Sequence, residues 1–203
     1  VECDFGVLDW LAGDIAKPSN LADPTAAALS LADFLRALQE KPTAGAPSSG
    51  SLNSRRGVPL VELSDTVADA VELVADEIDA SAALDVWEAA LCARPAGAAV
   101  WLHGDLKADN LIARDGELAG VIDWGLASVG DPSADYATAF SWVSPVAKNG
   151  FGDALELKDD DWLRAKGWAF YGAVVALSYY RGGRNEPLCR QSRLTLSRLN
   201  LML

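Results

Sequence analysis

The sequence predicts an α+β fold that is mostly helical, with one small β element near its middle. Three observations carry that expectation. Apolar residues recur at helical spacing through both halves of the chain. Asp115-Gly116 separates two short apolar runs, a strong signal for a two-residue hairpin turn. Half of the 203 residues are hydrophobic, enough for one domain with a sizeable core.

The elements follow in order. VECDFGVLDWLAG reads as a strand ending at Gly13. Asp23 suits a helix N-cap and Pro24 the first helical position. Ala28, Leu31, Leu35 and Leu38 then share a helix face that ends before Pro42. Residues 42–59 are rich in Pro, Gly and Ser and form a long loop, functional or mobile. A helix lies within 62–79, burying Val67, Val71, Val74 and Ile78, and another spans about 82–93, with Val86, Trp87, Ala90 and Leu91. AAVWL, NLIA and LAGVID are strand-like, the last two flanking Asp115-Gly116. From Ser133 the chain turns helical. A long helix runs from Asp159-Asp160-Asp161 to about Arg181, where Gly182-Gly183 stop it, and a last one covers roughly 187–201.

The net charge is -12, which argues against nucleic acid and anionic lipid as partners and favours a cationic small molecule or plain solubility. Apolar runs fall short of a membrane span and no secretory signal is visible, so a cytoplasmic location is expected. The cysteines, Cys3, Cys92 and Cys189, are scattered, and a single histidine makes a Cys/His zinc site improbable. It also argues against a two-metal phosphoesterase. A Ser-His-Asp hydrolase lacks its GxSxG.

The polar chemistry concentrates in HGDLKADN, residues 103–110. With Asp115-Gly116 as the turn, Arg114 faces Glu117 and Asn110 faces Val121, with Asp123 just beyond. One hairpin therefore gathers Asp105, Asn110 and Asp123. Asparagine and aspartate oxygens suit Mg²⁺. A carboxylate off the metal can take a hydroxyl proton. Together these meet the needs of phosphoryl transfer. His103 fits acid–base chemistry or a structural brace, and Lys107 fits a phosphate contact or a solvated surface. Asp159, Asp160 and Asp161 fit a pocket for a cation, or simply the charge a helix N-terminus favours.

HGDLKADN, the hairpin and VIDWG together resemble the aminoglycoside phosphotransferase and choline kinase group of the protein-kinase-like superfamily, which carries HGDxxxxN and IDxG. DPSADYA at 131–137 is similar to the DPxxDLA segment of that group, and NSRRGVPL and FLRAL look like an aminoglycoside phosphotransferase subgroup. The resemblance implies a kinase-like C-terminal lobe using ATP and Mg²⁺ to phosphorylate a small-molecule hydroxyl, with an aminoglycoside-like polycation favoured. It implies Asp105 as catalytic base, Lys107 at the transferred phosphate, and Asn110 and Asp123 as metal ligands. It further implies that His103 and Asp135 brace the loop, that Trp124 packs in the core, and that Ile112 and Ile122 floor the adenine pocket. Asp9, Trp10 and Ala12 then belong to an interlobe hinge offering backbone hydrogen bonds to adenine.

The resemblance sets the domain reading: residues 1–13 as strand and hinge, 14–203 as catalytic lobe. No GxGxxG, strand lysine or partner glutamate precedes residue 103; Lys17 and Lys41 sit in loop or helix-end contexts. The small lobe is expected to be absent, and the isolated chain to be a poor kinase, with a non-catalytic binding module as the alternative. RALQE, where relatives often have ALH, is a departure of undefined effect.

Overall fold

The computed structural model describes residues 9–95 and 97–203. The chain is mostly helical, as expected, but carries two small sheets rather than one β element. The strand expected in the first 13 residues lies partly outside the described residues. Residues 9–12 have no regular structure, and strand β1, Asp14–Ile15, follows Gly13 instead of ending there.

Helix α1, Pro24–Gln39, starts where the sequence indicates, with the Asp23 carboxylate accepting from the amides of Thr25 and Ala26. Leu31 and Leu35 are buried, and Leu38 is half-buried. In the 62–79 region a 3₁₀ turn, Leu60–Leu63, precedes α2, Ser64–Leu73, and the four residues expected to face the core are all buried. Helix α3, Ala80–Cys92, is capped by Asp79.

Strands β3, Leu111–Arg114, and β4, Glu117–Val121, form the hairpin, with β1 on the outer edge of β3. Asp115 and Gly116 both have positive φ, as a two-residue turn of this hand requires. A second sheet, absent from the sequence expectations, pairs β2, Val100–Leu102, with β5, Ser128–Gly130. These two strands carry the chain into the polar loop and away from the hairpin.

Short helices α4, Ser133–Tyr136, and α5, Thr138–Ser141, lead to α6, Lys148–Ala154. Helix α7, Asp159–Tyr180, runs through the core and buries Trp168, Phe170, Val174 and Leu177. Helix α8, Glu186–Arg198, packs against α7 and ends three residues short of the expected boundary. The core lies between α1, α2, α3 and α7, and leaves the polar loop on its rim.

Candidate active site

The polar loop is fixed from beneath by Asp135. This carboxylate is fully buried and accepts from the amides of His103 (2.7 Å) and Gly104 (2.9 Å). Burial pushes its pKa up, against the two amide hydrogen bonds that favour its charged form. His103 is fully buried as well. Its Nδ1 lies 3.3 Å from the Asp105 amide, which donates to it, so Nε2 carries the hydrogen and donates to the Ile122 carbonyl at 2.9 Å. The histidine thereby joins the loop to the end of β4.

Asp105 is half-buried. Its Oδ2 accepts from Lys107 Nζ (2.7 Å) and from Asn110 Nδ2 (3.0 Å). Asn110 Nδ2 also donates to the Asp105 carbonyl at 2.8 Å. Asn110 is buried, and its Oδ1 accepts no hydrogen bond among the described residues.

The hairpin register differs from the one counted back from the turn. Arg114 faces Glu117, as expected, but a bulge between Ile112 and Ala113 leaves Ala119 unpaired. Leu111 therefore faces Val121, and the Ile122 amide donates to the Asn110 carbonyl at 2.9 Å. The corrected register sets Asn110 one residue from Asp123. Asp123 is exposed, has a left-handed backbone (φ 65°), and makes no side-chain hydrogen bond or ion pair among the described residues. Such backbone conformations in non-glycine residues gather at functional sites. The amide oxygen of a buried asparagine and an exposed carboxylate, both uncommitted, are hard oxygen donors that fit Mg²⁺. No group of three or more His, Cys, Asp or Glu suited to a metal occurs among the described residues, so any other positions must be filled by water or ligand.

Trp124 is not in the core. The residue is 43% exposed, its ring stands edge-on to His103 (centroids 4.9 Å) and to Phe34 (5.7 Å), and its indole donates to the Val121 carbonyl. It covers the histidine from the solvent side. Ile112 is buried, whereas Ile122 is 37% exposed. Asp9, Trp10 and Ala12 are exposed, Trp10 at 90%. The chain reaches the hairpin at β1, where the Ala16 amide donates to the Leu111 carbonyl.

Of the acidic cluster, Asp160 pairs with Arg94, while Asp161 caps α7 through the Lys158 amide and pairs with Arg164. These two are committed to structure, as the helix-terminus reading expects.

Two supports went unassigned in the sequence reading. Arg164 is buried and bridges Asp131 (2.9 Å) and Asp161 (2.7 Å), while Asp131 accepts from the Ser133 amide at the start of α4. The long loop is pinned along β5: Asn53 is buried and donates to the Arg56 carbonyl and to Ser128 Oγ, and the Ser49 amide donates to the Val129 carbonyl. NSRRG and DPSADYA were visible as segments, but their side-chain partners lie far along the chain. Gln39, at the RALQE departure, accepts from Tyr136 Oη at 2.9 Å, and burial pushes that tyrosine up to about 12.

A family model described as "Phosphotransferase enzyme family" matches residues 2–168. No curated protein matches the chain. Among solved structures it is similar to APH(2")-IIia in complex with GDP and kanamycin, at 21% identity and a TM-score of 0.66, over 93% of this chain and 68% of that one. It is similar to the streptomycin–ATP ternary complex of APH(2")-IIa, at 19% identity and 0.53, again over 93% and 68%. A macrolide 2'-phosphotransferase type I matches at 20% identity and 0.56, over 97% of this chain and 64% of that one. At these identities the likeness is one of fold, and it is the kinase-like fold that the sequence motifs imply.

Proposed function

The chain belongs to the phosphotransferase enzyme family, and from that membership we propose that it transfers the γ-phosphoryl group of ATP to a hydroxyl of a small molecule. The observation that carries this reading is the bond pair from Asn110 Nδ2 to the carbonyl and carboxylate of Asp105, at 2.8 and 3.0 Å. It joins a carboxylate able to take a proton to a side chain whose oxygen is left for a metal.

In this reading Asp105 accepts the acceptor's hydroxyl proton as its oxygen bonds to phosphorus and the bond to the departing ADP oxygen breaks. Lys107, now paired with Asp105, turns its ammonium toward the transferred phosphate. Asn110 and Asp123 hold Mg²⁺, which supplies positive charge against the phosphate oxygens. The hairpin edge at Ile112 and Ile122, with Asp9, Trp10 and Ala12, receives the adenine. Nucleotide use is supported by the GDP and ATP named in the neighbouring complexes. An aminoglycoside-like acceptor is supported by the kanamycin and streptomycin named there and by the net charge of -12.

The test is transfer of label from γ-labelled ATP, with Mg²⁺, to kanamycin, streptomycin or a macrolide. We expect this chain, with no phosphate loop or strand lysine before residue 103, to label the acceptor only weakly, and that label to disappear in Asp105→Ala. Wild-type rates in that variant would place the base elsewhere. Failure of the parent protein to bind either Mg²⁺ or nucleotide would favour a non-catalytic binding module.

A further inference from the structure

A cleft of about 580 Å³ opens between α5, the start of α6, the first turns of α7 and the end of α8. Volumes of this size suit small-molecule ligands. Its charge is unlike that of the chain as a whole. Lys148, Lys166 and Arg198 line it against one carboxylate, Asp159, a surplus of two positive charges in a protein of net charge -12.

Two of the three cations are held in place. Lys148 Nζ stands 3.9 Å from the Phe140 ring centroid and 5.0 Å from that of Trp162. Arg198 donates to the carbonyls of Ser141 (2.8 Å) and Val143 (3.2 Å). None of the three makes an ion pair among the described residues. Burial, and after it the neighbouring Lys166 ammonium, hold Lys148 below its usual pKa.

The cleft is separate from the phosphoryl-transfer residues, none of which lines it. Gln191 of α8 touches Asp109 of the polar loop, and Arg198 lies seven residues further along the same helix. At the rise of an α-helix that is about 10 Å.

We propose that this cleft is a second ligand site, taking a small anion with two or more negative groups, phosphate or carboxylate, between Lys148, Lys166 and Arg198. A polycation of the kind favoured as acceptor is repelled here, so the site does not depend on the proposed reaction.

The experiment is calorimetric titration of the purified protein, stripped of metal beforehand on a chelating resin, with pyrophosphate and with citrate at physiological salt. Removing divalent ions in this way keeps them from recruiting anions to Asn110 and Asp123. We expect saturable binding of at least one probe, weakened about tenfold or more by Lys148→Met and by Lys166→Gln, and unchanged in Asp123→Asn. Binding of pyrophosphate alone identifies a phosphate site, and binding of citrate alone a carboxylate site. Lys166 is partly exposed, so its variant keeps the test valid if Lys148→Met does not fold. No saturable binding, affinity equal to the parent's in both lysine variants, or loss in Asp123→Asn would overturn the proposal.

Discussion

Asn110 donates its side-chain amide to both the carbonyl and the carboxylate of Asp105. One residue thus shapes the loop and aims the proposed base, while its remaining oxygen points to a metal role. Asp123 has no such structural duty, being exposed and uncommitted among the described residues. The two proposed metal ligands should therefore separate. Asn110→Ala removes two hydrogen bonds, one of them to a charged carboxylate, and should cost about 1–3 kcal/mol of stability, read by urea unfolding. Asp123→Asn should leave stability within about 0.5 kcal/mol, as exposed substitutions do. Both should weaken Mn²⁺, as a probe for Mg²⁺, in a titration followed by electron paramagnetic resonance. An Asp123→Asn protein with unchanged Mn²⁺ affinity would remove that residue from the metal site.

Gly104 separates His103 from Asp105 for a steric reason. Its φ is 81°, and a Cβ placed there would stand 2.5 Å from the Leu126 carbonyl oxygen. The loop cannot retreat, because the Gly104 amide is bound to the buried Asp135. Gly104→Ala should destabilise by at least about 1–3 kcal/mol, the scale of enforced left-handed backbone. It should also lower phosphoryl transfer, by pushing the base loop away from the segment that bears Asp123. A Gly104→Ala protein as stable and active as the parent would mean the two loops are not packed this closely.

The parts of this site that were legible in the sequence are those fixed by local chemistry. Asp23 announced α1 because its carboxylate caps amides two and three residues on. Asp115-Gly116 announced the turn because both residues need positive φ. The error came one step beyond the turn. The bulge at Ala119 has no composition signal, and a register counted from the turn slips by one residue past it. Trp124 was expected in the core because the family resemblance places it where protein kinases have phenylalanine, yet it lies over His103 at the surface. The β2–β5 pairing and the Asn53–Ser128 bond join residues 28 and 75 positions apart, beyond the reach of periodicity.

Arg164 links the helical core to the site. It is 4% exposed and ion-paired with both Asp131 and Asp161, and Asp131 in turn holds the Ser133 amide two residues before Asp135. Arg164→Met should cost about 3–5 kcal/mol, because two carboxylates lose their counter-ion in a mostly buried setting. Adding Asp131→Asn and Asp161→Asn to that variant should recover part of the loss. Denaturant midpoints of the single and triple variants decide the matter. If the triple variant is less stable than the single one, the unpaired charges were not the cause.

Glu77 ties α8 to the end of the α2 region, and its contribution is set by pH. Its carboxylate takes two bonds from Arg193, at 2.6 and 3.2 Å, and these hold its pKa below the ordinary glutamate value of 4.5. A depressed carboxylate stabilises the fold above its unfolded pKa and loses that contribution as pH falls through the folded value. Both side chains are partly exposed, so about 1 kcal/mol is expected, or roughly 2–4 °C in melting temperature for a chain of this size. Glu77→Gln should melt lower than the parent at pH 7, and the two curves should converge below pH 4.5. High salt should narrow the gap at pH 7 by screening. Because Gln191 on the same helix reaches Asp109, the variant should also raise amide exchange in residues 107–110 at neutral pH. Exchange there that stays at the parent's level while the melting temperature falls would show that α8 steadies the fold without steadying the loop.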